Sequence, residues 1–124
     1  MGSRVLIVED EFFIALDMGQ QLANAGFDVV GPAPSAAKAL NLLAAQGCDA
    51  AILDVNLGGE TSESVALKLR EDRKPFVVLS GYSTDARLPW FGAAPVLSKP
   101  LRMESLVAAL RGCIEAPSGA PPSA

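Results

Sequence analysis

Four short apolar runs recur along the chain, at residues 5–8, 28–30, 50–53 and 76–79, with a weaker fifth at 95–97. Three of them are nearly continuous Val, Ile, Leu and Phe, which is how parallel strands buried on both faces read. The stretches between them carry a helical period instead. Over 11–25, Ile14, Met18, Leu22 and Ala25 share one face, and Gly26 stops the helix. Over 35–46, Ser35 is a suitable N-cap for a stripe of Ala36, Ala39, Leu40 and Leu43. Over 62–72, Val65 and Leu69 face inward and Pro75 ends the helix; over 102–115, Leu106, Ala109, Leu110 and Cys113 do the same. Strand and helix in alternation, joined by right-handed crossovers, predict an α/β domain: a doubly wound, five-stranded parallel sheet with helices on both faces.

The stretch between Ser80 and Lys99 breaks this rhythm. Gly81, Pro89, Gly92 and Pro95 leave only 84–88 for a helix, so a short or irregular fourth helix is expected, with Trp90 and Phe91 packed back onto the body. The whole segment 81–95 has weak helix propensity and is expected to be marginally ordered. Residues 116–124 are Ala, Pro, Ser and Gly, and the expected division is a folded unit over 4–115 with a disordered tail over 116–124.

A chain of 124 residues has room for one such core. No apolar run approaches the roughly 18–20 residues that span a bilayer, and the four apolar residues after Arg4 are too few for a signal peptide. A cytoplasmic protein with no membrane contact is expected. The net charge of −4, with no basic stripe, argues against direct nucleic-acid binding. Cys48 and Cys113 lack zinc-site spacing and read as packing residues. The chain has no histidine, so neither a phosphohistidine nor a Ser-His or Cys-His catalytic pair is available.

The chemistry gathers at the ends of the strands. The first run ends in Glu9-Asp10-Glu11, the third in Asp54, the fourth in Ser80-Gly81, and the fifth leads into Ser98-Lys99-Pro100. In a doubly wound sheet the carboxyl ends of the strands share one edge, where ligands bind. Glu9, Asp10, Asp54, Ser80 and Lys99 should therefore converge. Clustered carboxylates favour a hard divalent cation such as Mg²⁺. Asp54, on the central strand, is placed to attack phosphorus and form an acyl phosphate. Mg²⁺ and the Lys99 ammonium would neutralise charge, while Ser80 would donate a hydrogen bond to a phosphoryl oxygen.

These residues resemble the response-regulator receiver domain of two-component systems over about residues 4–115. The acidic pair matches Glu9 and Asp10, the phosphoacceptor Asp54, the Ser/Thr switch residue Ser80, and the Lys-Pro pair Lys99-Pro100. The resemblance implies a flavodoxin-like fold with strand order 2-1-3-4-5. It also implies Mg²⁺ bound by Asp10, Asp54 and the Asn56 carbonyl, with Glu9 acting through water. The implied phosphodonor is a sensor histidine kinase or a histidine phosphotransfer protein. The stretches 75–82 and 95–100 resemble receivers nicknamed FAT GUY, whose relatives are stand-alone receivers often served by kinases of the HWE type. Val78, Leu79 and Ser80 stand where that nickname has Phe, Ala and Thr. Val96 stands where the family at large has an aromatic switch, three before the lysine, so Tyr82 joins Ser80 as the switch residue. Such a domain signals through protein contacts and is no enzyme beyond its own phosphorylation and dephosphorylation. A phosphatase of the haloacid-dehalogenase type would need a second Asp where Asn56 stands, and a non-phosphorylated pseudo-receiver acting as a binding module would not need all five pocket residues.

Overall fold

The five apolar runs form one parallel sheet. The computed structural model describes residues 2–81 and 88–115. In chain order the elements are β1 (Arg4–Val8), α1 (Phe12–Asn24), β2 (Asp28–Ala33), α2 (Ala36–Ala45), β3 (Ala50–Asp54), α3 (Glu63–Glu71), β4 (Phe76–Ser80), a 3₁₀ turn η1 (Pro89–Phe91), β5 (Val96–Ser98) and α4 (Met103–Glu115). The strand order is β2-β1-β3-β4-β5, all parallel, as expected. This is the flavodoxin-like order whose ligand crevice lies between the first and third strands.

Successive strand residues feed opposite faces of the sheet, so each run supplies two cores. Leu6, Val8, Ala51, Leu53, Phe76 and Val78 meet α2, α3 and η1. Val5, Ile7, Ala50, Ile52, Val77 and Leu79 meet α1 and α4. The three central strands are buried at nearly every position, which explains why their sequences show no polar alternation. Cys48 and Cys113 are buried, free thiols that burial pushes upward in pKa, Cys48 to about 11, in keeping with packing roles.

Local chemistry sets the element ends. Gly26, at φ 99°, closes α1 with paired bonds from its own N–H to Ala23 and from Phe27 N–H to Leu22. Arg111 of α4 adds a hydrogen bond of 3.1 Å to the Ala25 carbonyl. The Ser35 hydroxyl caps α2 by accepting from Lys38 N–H, as its position predicted.

One expectation needs correction. On α1 the sheet takes Ala15, Met18 and Leu22, while Ile14 is left 41% exposed. The stripes 14-18-22 and 15-18-22 both suit a helical period, and the small Ala15 permits the closer approach to the sheet. In the described second half of segment 81–95 the aromatic pair packs back onto the body, as expected. Trp90, Phe91 and Ala94 are buried in the α2–α3 core, and the two rings meet edge-on at 4.7 Å. The Gly and Pro residues there mark turns without preventing burial. Tyr82, the expected helical stretch from Thr84 and the 116–124 tail lie outside the described residues.

Candidate functional site

Parallel pairing in register delivers the predicted residues to one sheet edge. Asp54 is the last residue of β3 and Ser80 the last of β4, Glu9 follows β1, and Lys99 follows β5. Glu9 N–H donates to Ala33 O at 3.0 Å, and Lys99 N–H donates to Ser80 O at 3.0 Å, so both backbone positions are tied to the neighbouring strand.

Side chains from three strand ends meet there. Oxygens of Glu9, Asp10 and Asp54 lie within 4.8 Å of one another. The Lys99 ammonium donates to Asp54 Oδ2 at 2.5 Å and stands 3.7 Å from Glu9 Oε1. Asn56 N–H donates to Asp54 Oδ1 at 3.1 Å, so both Asp54 oxygens are held from the protein side. Glu11 N–H donates to Glu9 Oε2 at 3.1 Å. Ser80 is buried at the adjoining strand end.

The electrostatics follow from this crowding. Burial, together with the Asp54 carboxylate beside it, pushes Glu9 up to about 7 despite the counter-pull of Glu11 N–H and Lys99. Burial pulls Lys99 downward, but the hydrogen bond to Asp54 and the nearby acids outweigh it and hold the ammonium above its ordinary range. Lys99 therefore stays charged throughout the physiological range.

The donor set fits a hard divalent cation. Three carboxylates converge with one lysine between them, and Glu9 Oε1 is buried without a hydrogen-bond partner. An oxygen-rich pocket with an unpaired acceptor is suited to Mg²⁺.

The structure brings together Glu9, Asp10, Asp54 and Lys99, with Ser80 and Asn56 beside them. Two contributors escaped the sequence reading, and both lie in the β3–α3 loop. Glu60 Oε2 accepts from Ala36 N–H at 3.3 Å, pinning the loop to the first turn of α2. Gly58 lies against Asp10, where an added Cβ would fall 3.0 Å from Oδ2.

An open α/β sheet with an acid-and-lysine pocket at its central switch point is a doubly wound domain with its site where such sheets bind ligands. The family model of the response regulator receiver domain matches residues 5–111, and the chain belongs to that family. Members are signalling modules of two-component systems rather than conventional enzymes, and they bind Mg²⁺ at their acidic pocket. The transcriptional regulatory protein PdtaR of Mycobacterium tuberculosis is 32% identical over 111 residues, covering 86% of this chain and 54% of the relative. The chain thus spans about half the length of the curated relatives it matches. The solution structure of SdrG from Sphingomonas melonis Fr1 is 41% identical with a TM-score of 0.76, covering 89% of this chain and 94% of that one. A response regulator from Burkholderia pseudomallei, solved with a phosphorylated aspartic acid, a calcium ion and citrate, is 27% identical with a TM-score of 0.75. It covers 87% of this chain and 66% of that one. Among the described residues no helix is long and apolar enough to cross a membrane.

Proposed function

We propose that residues 4–115 form a receiver unit that accepts a phosphoryl group on Asp54 from a sensor histidine kinase or a histidine phosphotransfer protein. The observation that carries this reading is the hold on Asp54: buried, at the end of the central strand, with Lys99 on one oxygen and Asn56 N–H on the other. The phosphorylated aspartic acid of the Burkholderia pseudomallei regulator supports carrying that chemistry to Asp54.

In the transfer, an Asp54 oxygen bonds to phosphorus as the bond from phosphorus to the donor's histidine nitrogen breaks. The nitrogen keeps that electron pair, and Asp54 becomes an acyl phosphate. Phosphoryl transfer depends on positioning and charge neutralisation more than on covalent help. The Lys99 ammonium supplies positive charge next to the nucleophile and then to the phosphoryl oxygens. Ser80 donates its hydroxyl to one of those oxygens, and Tyr82 joins it as the switch. Asp10, Asp54 and the Asn56 carbonyl would hold Mg²⁺, with Glu9 acting through water. Mg²⁺ supplies neutralisation of the developing phosphoryl charge.

A protein donor needs a surface beside Asp54. Phe12, Phe13 and Leu16 are 69%, 80% and 54% exposed on the first turns of α1, directly after the acidic pair. A groove between α1 and α4, lined by Ile14, Met18, Leu101 and Met103, opens at Lys99. The exposed ledge on α1 and this groove, which shares Lys99 with the acidic pocket, form the proposed docking face for a cytoplasmic kinase, HWE type included. The output is a protein contact.

Incubation with Mg²⁺ and a small phosphodonor such as phosphoramidate tests the reading. The wild type should gain one phosphoryl group by intact mass, and Asp54→Asn, nearly isosteric, should gain none while keeping its fold. An unmodified wild type, or a mutant labelled at the wild-type rate, overturns it.

A further inference from the structure

Gly58 lies against Asp10, and its backbone has φ 67°, in the region that disfavours side chains. Its neighbour Gly59 has φ 106°. The two differ in what they face. A Cβ at Gly58 would lie 3.0 Å from Asp10 Oδ2 and 3.9 Å from its Cγ, whereas one at Gly59 would meet nothing within 4 Å.

The loop that carries Gly58 is fastened at several points. Leu57 N–H donates to Glu60 O at 2.8 Å, and Ser62 N–H donates to Val55 O at 3.2 Å. Asn56 and Thr61 form an antiparallel bridge, Leu57 is buried, and Glu60 is tied to α2. A methyl group at Gly58 therefore cannot be relieved by swinging the loop outward without breaking these bonds. The softer partner is the Asp10 carboxylate, which would have to give by a few tenths of an ångström and so leave the position in which it meets Glu9 and Asp54.

We infer that Gly58 is a positioning residue for the acidic pocket: its bare backbone leaves the space in which the Asp10 carboxylate converges with Glu9 and Asp54, and this sets the affinity for the divalent cation. The inference rests on the Mg²⁺ reading above and deepens it. Its role is distinct from that of a glycine needed only for a turn. A turn glycine acts through the backbone, while Gly58 acts through the atom it lacks.

The two glycines supply the control, because alanine at either incurs backbone strain and only one touches Asp10. Mg²⁺ affinity of the full chain is measured by calorimetry and by amide shifts of Asp10 and Asn56, with melting temperatures of the metal-free proteins alongside. Gly58→Ala should weaken Mg²⁺ on the order of tenfold, as loss of a residue that orients a metal ligand does. Gly59→Ala should lower the melting temperature and leave the affinity unchanged. Gly58→Asn, a residue tolerant of this backbone region, should weaken Mg²⁺ as well, and it keeps the test alive if Gly58→Ala does not fold. Equal affinity in wild type and both Gly58 variants overturns the inference, and so does an equal loss in Gly58→Ala and Gly59→Ala. A wild type that binds no Mg²⁺ overturns the underlying metal reading instead.

Discussion

Glu9 is 1% exposed, and one of its oxygens has no hydrogen-bond partner. Burial and the Asp54 carboxylate raise its pKa from 4.5 to about 7. Between those values the folded chain holds a proton on Glu9 that the unfolded chain has lost. The native state then binds more protons, so stability falls as pH rises. The metal-free protein should lose on the order of 3 kcal/mol from this group across the window. Melting curves should show the fall in the wild type and its absence in Glu9→Gln, which mimics the protonated acid. Mg²⁺ added at neutral pH should raise the melting temperature, because a ligand confined to the folded state stabilises it by mass action. A wild-type curve flat in pH defeats the assignment. At this scale the sequence was highly informative about residue type, since Asp54 and Lys99 could be matched to strand ends from hydropathy alone. It was silent on Gly58 and Glu60, whose contacts depend on how the β3–α3 loop folds back onto Asp10 and α2.

Elements were legible where a period was unambiguous. The buried strands β1, β3 and β4 have almost no alternative reading, and each of the four helices carries an apolar stripe. Choice between adjacent faces was not legible, as Ile14 and Ala15 show, because local period cannot weigh the closeness of the sheet. The end of α3 was also hidden. Pro75 suggested where the helix must stop, yet the reversal is made by Arg73 at φ 58°, among the described residues the non-glycine with positive φ. Lys74 N–H then closes onto Leu69 O at 2.8 Å, the bond pattern usually made by glycine at that position. A side chain there carries a penalty of roughly 1 kcal/mol. Arg73→Gly should therefore raise the stability by about 0.5–1 kcal/mol in denaturant melts, with no change in Mg²⁺ affinity. A decrease would show that the Arg73 side chain contributes more than its backbone loses.

The molecule joins its pocket to its surface unequally on the two sides of β4. On one side, β5 is a three-residue strand, only half-buried, and it is directly coupled to Asp54 through Lys99. On the other, η1 is anchored: Trp90 and Phe91 lie in the core, and a Cβ added at Gly92 would fall 3.4 Å from the Arg70 guanidinium of α3. Phosphorylation of Asp54 would add about −1.5 to −2 charge and three acceptor oxygens beside Lys99 and Ser80. That charge would redraw the Lys99–Asp54 contact first. The element least held by the core should respond, and that is β5 with the end of β4, tied to it by the Lys99 N–H to Ser80 O bond. Ordering of the whole of 81–95 on activation is not expected, since its described second half is already core. Val96, lacking a ring, should report by backbone movement rather than by rotamer. Beryllofluoride with Mg²⁺ should therefore shift the amides of Ser80, Gly81, Ser98 and Lys99. It should leave Trp90 emission and the exchange protection of Phe91 and Ala94 unchanged. Changed protection at Phe91 with silent Ser98 and Lys99 would show the opposite route, through the α3 face, because η1 can loosen only by leaving the core it shares with Ala66 and Leu69.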